Sequence, residues 1–186
     1  IYGFWRWEDQ GSETTAKVEK TVGLCLELGI NTFDHSDSYG NSTIETHFGN
    51  VIKNKAFKRD ELVLFSKCGI RTSTDGRFKY YDTSRKHILN SIEASLKRLN
   101  TDYLDIFLLH HSDLLADPEE TAAALGEVVS SGKARHIGVA NFSVFQHQLL
   151  ASYLRKPIVT NHIELNLMNI SAVVDGRVDF IKQRFS

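Results

Sequence analysis

The sequence predicts an α/β chain of the (β/α)8 barrel class, incomplete at its C-terminal end, on three observations. Short apolar runs alternate with longer helical patterns. Those runs are near-continuous in apolar residues, as strands buried on both faces should be. Polar residues able to do chemistry gather at the C-terminal ends of the runs, the face where a barrel builds its site. An open doubly wound sheet shares the alternation. It usually carries a glycine-rich turn after its first strand, and neither G-x-G-x-x-G nor G-x-x-x-x-G-K-[ST] occurs.

The elements follow in order. "IYG" reads as the tail of a first strand. "SETTAKVEKTVGLCLELG" reads as a helix capped by Ser12 and stopped at Gly29, with Val18, Val22, Cys25 and Leu26 as its apolar stripe. "GINTFD" (29–34) and "ELVLFSK" (61–67) are the next strands. Glu45 and Gly49 between them suit helix packing. The polar stretch 70–83, "IRTSTDGRFKYYDT", reads as a long surface loop placed as a lid. "SRKHILNSIEASLKRLN" has Ser84 as cap and Ile88, Ile92, Leu96 and Leu99 on one face. "YLDIFLLH" (103–110) is a strand. The next helix has Asp117 as cap, Pro118 at its first position and acids in its first turn, and it closes near Gly132. "RHIGVAN" (135–141), a helix from Ser143, and "PIVTNHIE" (157–164) complete the series.

Strand–helix alternation at roughly 20–40-residue intervals implies βαβ units with right-handed crossovers. A full barrel needs eight units and about 250 residues. One strand tail plus five strands amounts to the first six of eight, and "DFIKQRFS" ends in a helical pattern. Residues 1–186 are therefore expected to be one barrel domain lacking its last two strands.

Composition narrows the function. With 41% hydrophobic and 24% charged residues, the chain is ordinary globular material. A net charge of −1 gives no electrostatic footprint for nucleic acid, and no apolar run approaches a membrane span. Cys25 and Cys68, far apart, fit a reducing compartment. The expectation is a cytoplasmic protein with neither nucleic-acid nor membrane partners.

The strand ends supply the chemistry. They present Asp34 with Tyr39 just beyond, then Lys67, His110, Asn141 and the Asn161/His162 pair. In a parallel barrel these ends share one face. A free phenol, with a pKa of about 10, is a poor acid near neutrality. A nearby ammonium is expected to lower that value, and a carboxylate to hold the ammonium charged. A histidine can hydrogen-bond the reacting oxygen. The set suits protonation of a carbonyl oxygen as it gains negative charge, with hydride supplied by a cofactor.

At these residues the sequence resembles the aldo-keto reductases, nicotinamide-dependent (β/α)8 oxidoreductases, and most closely the bacterial branch with D-H-A-D-x-Y-G. "FDHSDSYGNSTIETHFG", "FSKCG", "YLDIFLLHHSD" and "GKARHIGVANFS" match four family segments in order. The resemblance implies Tyr39 as general acid, Lys67 lowering its pKa, Asp34 paired with Lys67, and His110 orienting the carbonyl. It implies cofactor contacts from Gly3, Phe4, Asp34, Ala140, Asn141 and His162, and a substrate wall from Trp5 and His110. Two positions depart from the pattern: Ala140 replaces the usual Ser, and His162 the usual Gln. NADPH is the expected cofactor, NAD the less favoured one, and the residues that would decide lie beyond Ser186. The expected partner is a small carbonyl compound and the expected state a monomer.

Two other readings stand beside this one. A non-catalytic, nicotinamide-sensing regulatory subunit of the same fold would tolerate Ala140 and His162. A metal-dependent hydrolase would use His35 with Asp37, or His110 with His111, but adjacent strand residues point opposite ways. The other strand ends supply lysine and asparagine rather than ligands, so no metal is expected. Cys68 reads as a small core residue, Lys133 and Arg135 as loop charges, and Asp105 as a buried acid paired to a cation from a neighbouring helix.

Overall fold

The structure, a computed structural model, describes residues 1–170. Their strands are β1 (Tyr2–Gly3), β2 (Thr32–Asp34), β3 (Val63–Cys68), β4 (Ile70–Thr72), β5 (Lys79–Tyr81), β6 (Leu104–Leu109), β7 (Ala134–Ala140) and β8 (Ile158–His162). The helices are α1 (Ser12–Glu27), α2 (Ile44–Lys53), α3 (Arg85–Leu99), α4 (Pro118–Ser130) and α5 (Val144–Tyr153). The helical pattern of "DFIKQRFS" lies outside the described residues.

The apolar runs pair into one parallel sheet, ordered β1-β2-β3-β6-β7-β8. The order never doubles back. Right-handed crossovers then place every helix on the same face, and each helix packs against the next in sequence. A doubly wound sheet would reverse its order and carry helices on both faces. This is instead six staves of a barrel wall.

The strand period of two divides the side chains between faces. Phe33, Leu64, Phe107 and Val139 join the main core with Val18, Val22, Ile88 and Leu125 from the helices. Phe65, Leu108 and Ala140 form a smaller cluster apart from it. Lys67 stands two residues beyond Phe65, and His110 two beyond Leu108, so the chemistry follows the smaller cluster's side of the sheet.

Helix punctuation mostly follows the sequence. Ser84 accepts from the His87 N–H, Asp117 accepts from the Glu119 N–H ahead of Pro118, and Ser143 forms a capping box with Gln146. Ser12 does not cap α1. It is the first helical residue, behind Gly11 in a left-handed conformation (φ 68°). Thr14 Oγ1 instead accepts from the Gln10 N–H.

The 70–83 segment is not an irregular loop. β4 and β5 pair as an antiparallel hairpin, turned at Gly76 (φ 71°), where Ser73 Oγ donates to Asp75. Gly49 serves packing as expected: a Cβ there would lie 1.9 Å from the Arg98 carbonyl oxygen, so α2 and α3 meet backbone to backbone. The partners of Asp105 are not on a helix. Arg59, in a 3-10 turn before β3, and Arg135, within β7, bind its two oxygens at 2.9 and 3.0 Å and sandwich the Tyr103 ring. Lys133 pairs with Glu93. Lys133 is thus a paired charge in the bend ahead of β7, as expected of a loop residue, whereas Arg135 is a paired charge within the barrel wall. Both cysteines are free and buried. No helix among the described residues is long and apolar enough to cross a membrane.

Candidate active site

β2 delivers Asp34. Its register sets Gly3 on one side and Phe65 on the other. Beyond the strand the chain stays pinned to β3, with the His35 N–H donating to the Phe65 carbonyl (2.9 Å) and the Asp37 N–H to the Lys67 carbonyl (3.0 Å). A 3-10 turn, Tyr39–Ser42, then returns Tyr39 to the end of β3. Gly40, Asn41 and Ser42 all take left-handed φ (55°, 53°, 71°). A Cβ at Gly40 would stand 2.6 Å from Ile44 Cγ1, so glycine is required there. Asn tolerates this region but Ser does so poorly, and such strain is commonly stored at functional sites.

Lys67 sits at the centre, 3% exposed. Its Nζ lies 2.7 Å from each Asp34 carboxylate oxygen, in hydrogen-bond geometry with Oδ2. It also donates to the His35 carbonyl (2.8 Å) and to Tyr39 Oη (3.0 Å). An ammonium has three protons, and three acceptors take them. Tyr39 Oη is therefore an acceptor toward Lys67, and its own proton must point elsewhere.

The electrostatics correct one expectation. Burial pushes the Tyr39 phenol well above its ordinary pKa, and the Asp34 charge pushes it the same way. In the resting site Lys67 does not outweigh these two effects. Asp34 lies closer to the ammonium than the phenol does, so the pair presents little net charge and burial decides. Burial also lowers Lys67, against the raising effect of Asp34. Tyr39 accordingly rests as a firmly protonated phenol.

His110 follows β6, anchored by its N–H donating to the Cys68 carbonyl (2.8 Å). Its ring meets Tyr39 edge-on at 5.9 Å, and Nδ1 lies 3.0 Å from Ser36 Oγ. Burial, then the charge of Lys67, drives its pKa far down, so the imidazole is neutral. His111 does not point away. β6 has ended at Leu109, and the two histidine rings stack at 5.4 Å. His111 also stacks on Tyr81 of β5, which ties the hairpin to the site.

The β7 and β8 ends complete the surround. Asn141, left-handed at φ 60°, donates from Nδ2 to the His110 carbonyl (3.1 Å), while its N–H donates to the His162 carbonyl (2.7 Å). His162 Nδ1 lies 3.7 Å from Asp34 Oδ1. Ala140 is buried and its methyl offers no hydrogen bond. Asn161 turns instead to the Phe142 backbone. Gly3 and Trp5 are exposed at the rim, with the Arg6 guanidinium over the Trp5 ring. Phe4 is fully buried and stacked on His35, so its side chain lines the core, not a ligand groove. His35 is sealed by Phe4 and Phe48, its pKa pushed to about 3 by burial. Among the described residues no cluster of three His, Cys, Asp or Glu is arranged to hold a metal.

Two features escaped the sequence reading. Ser36 touches His110. Behind the site lies a buried acid network: Glu45 accepts from Ser66 Oγ, Ser95 Oγ and Arg98 Nε. Asp37 faces it, its pKa raised to about 7 by burial and then by Glu45, against the pull of Arg98. A cleft of about 140 Å³ lined by Leu109, Ser112, Phe142 and Gln146 holds none of the four central side chains. The chemistry, rather than the cleft, locates the site.

Residues 1–178 match the Aldo/keto reductase family. The chain is 39% identical to "Uncharacterized oxidoreductase YcsN" of Bacillus subtilis, over 99% of this chain and 62% of that protein. It is 37% identical to a 6-dehydroglucose reductase of Agrobacterium fabrum, over 99% of this chain and 63% of that one. Among solved structures, the thermostable aldo-keto reductase Tm1743 in complex with the inhibitor epalrestat has a TM-score of 0.79 at 29% identity, covering 94% of this chain and 61% of its own. The chain thus spans about three fifths of the length of the relatives it matches. With a barrel wall carrying an acid, a phenol, an ammonium and an imidazole at its strand ends, and a family match over nearly its whole length, the chain belongs to the aldo/keto reductase family.

Proposed function

We propose that the protein reduces a small aldehyde or ketone to an alcohol, using hydride from a nicotinamide cofactor and a proton from Tyr39. The carrying observation is the saturated Lys67 ammonium. It fixes Tyr39 Oη as an acceptor on one side, and among the described residues no acceptor takes the phenol's own proton. That proton is left for a substrate oxygen.

The residues present suit a nicotinamide. Asp34 Oδ1 is buried without a hydrogen bond among the described residues, an acceptor open to a cofactor O–H or N–H. Gly3, beside Asp34, adds no side chain to the approach. Asn141 has its Nδ2 engaged, leaving Oδ1 to accept from a carboxamide, with His162 close by. The cofactor, NADPH by family habit and NADH less favoured, supplies the hydride. The carbonyl carbon receives it, the C=O π pair becomes an alkoxide, and the alkoxide takes the Tyr39 proton. Lys67 then faces a phenolate at 3.0 Å and stabilises it until solvent returns the proton. Neutral His110 can orient the carbonyl by hydrogen bonding without competing as an acid. Trp5 walls the substrate side. The 6-dehydroglucose reductase among the relatives makes sugar-derived carbonyls a sensible first panel.

Tyr39→Phe in the full protein tests this. NADPH oxidation with an aldehyde panel should fall about 10²–10⁴-fold, while NADPH binding by fluorescence persists. Near-normal turnover would refute the assignment. Ala140, which offers a carboxamide no side-chain bond, keeps a second reading in play: a nicotinamide-sensing subunit without turnover. A wild-type protein that binds NADPH and reduces nothing in the panel would favour it.

A further inference from the structure

Among the described residues the His110 ring is hydrogen-bonded at one nitrogen. Nδ1 meets Ser36 Oγ at 3.0 Å, and Nε2 has no partner among the described residues. Ser36 is itself fully buried. Its hydroxyl accepts from the Ser38 N–H (3.3 Å) and touches Ser38 Oγ (3.0 Å), the Lys67 carbonyl (3.4 Å) and Asp37 Oδ1 (3.5 Å). Ser38 Oγ can donate as well as accept. The Lys67 carbonyl and Asp37 are at the outer limit of a hydrogen bond. His110 Nδ1 is thus the best acceptor that the single Ser36 proton can find.

We propose, on the reductase reading above, that Ser36 is a positioning residue: its hydroxyl donates to His110 Nδ1 and so holds the imidazole as the Nε2–H tautomer, with that N–H directed to the substrate carbonyl. A neutral imidazole has two tautomers. In the Nδ1–H form, Nε2 would turn a lone pair toward an oxygen gaining negative charge. In the Nε2–H form it donates to that oxygen, alongside Tyr39. The choice between them falls to whichever group meets Nδ1, and Ser36 is that group.

The test is ¹⁵N-histidine NMR on the full protein, joined to kinetics with NADPH and 4-nitrobenzaldehyde. Wild type should show His110 with a bare Nδ1 and a protonated Nε2. Ser36→Ala should turn this into a tautomer mixture and lower kcat about three- to tenfold, with the NADPH KM unchanged. Ser36→Thr, which keeps the hydroxyl, should restore both. A protonated Nδ1 in wild type, or a Ser36→Ala protein with the wild-type tautomer and kcat, would overturn the proposal. If no carbonyl in a panel is reduced while the tautomer still responds to Ser36→Ala, the reductase reading falls and the Ser36–His110 assignment stands.

Discussion

The Asp34–Lys67 pair invites a double-mutant cycle, because the structure predicts strong non-additivity. At 2.7 Å and an effective dielectric of about 20, the attraction is ~6 kcal/mol. Desolvating two charges costs several kcal/mol each, so the net contribution of the intact pair is small. Removing one partner is different. Lys67→Met leaves the Asp34 carboxylate buried without its cation and also removes a donor from the His35 carbonyl and from Tyr39 Oη. The expected loss is about 3–5 kcal/mol. Asp34→Asn leaves an ammonium 3% exposed with only neutral acceptors, at a similar cost. The double variant removes both charges together and should cost roughly 2–3 kcal/mol less than the two losses added. Urea denaturation of the full, cofactor-free protein at neutral pH measures all four corners. Additivity within about 0.5 kcal/mol would refute the claim that these groups act as a coupled buried pair.

Other positions give shorter tests. Asp37→Asn should stabilise the protein above neutral pH and do little near pH 4. The folded carboxyl titrates at about 7 against an ordinary 3.8, so the native state keeps a proton that the unfolded state loses, and stability falls as pH rises through that window by at most ~4 kcal/mol; denaturation at both ends of it that gave equal effects would contradict this. Gly49→Ala forces a methyl against the Arg98 carbonyl oxygen and should lower stability by about 1–3 kcal/mol, and an unchanged urea midpoint would dismiss the close helix approach.

What was legible in the sequence was whatever depends on one-dimensional order. Asp34, Lys67 and His110 each end an apolar run, and parallel strands bring such ends together wherever they fall in the chain. Tyr39 sits five residues past Asp34, within reach of a single turn. Contacts made by long or small polar side chains across elements were not legible. Arg59 reaches Asp105 from a 3-10 turn, and the sequence holds no clue to its direction. Ser36 drew no reading of its own, because nothing in the order of residues shows which neighbour its hydroxyl meets. The hairpin of β4 and β5 was hidden by its exposure, since neither strand has a buried face to impose alternation. The sign of the Tyr39 shift was misread for a simpler reason: the sequence pairs Asp34 with Lys67 beside the tyrosine but does not show how deeply the phenol is buried.

That misreading bears on how the site can work. A phenol raised above its ordinary pKa looks like a worse acid, yet in the proposed reduction the oxygen it would protonate is a stronger base by far. An alkoxide resembles hydroxide, a far stronger base than a phenolate. Against that acceptor even a raised phenol would transfer its proton downhill, and until an alkoxide forms it would keep the proton in place. Lys67 needs no change of geometry to matter afterwards. Its third N–H already points at Tyr39 Oη, where the negative charge appears once the proton has left. On the proposed mechanism the ammonium would then face two anions, Asp34 and the phenolate, and its attraction to the second grows only as the proton leaves, which is the condition for lowering a barrier rather than merely tightening a ground state.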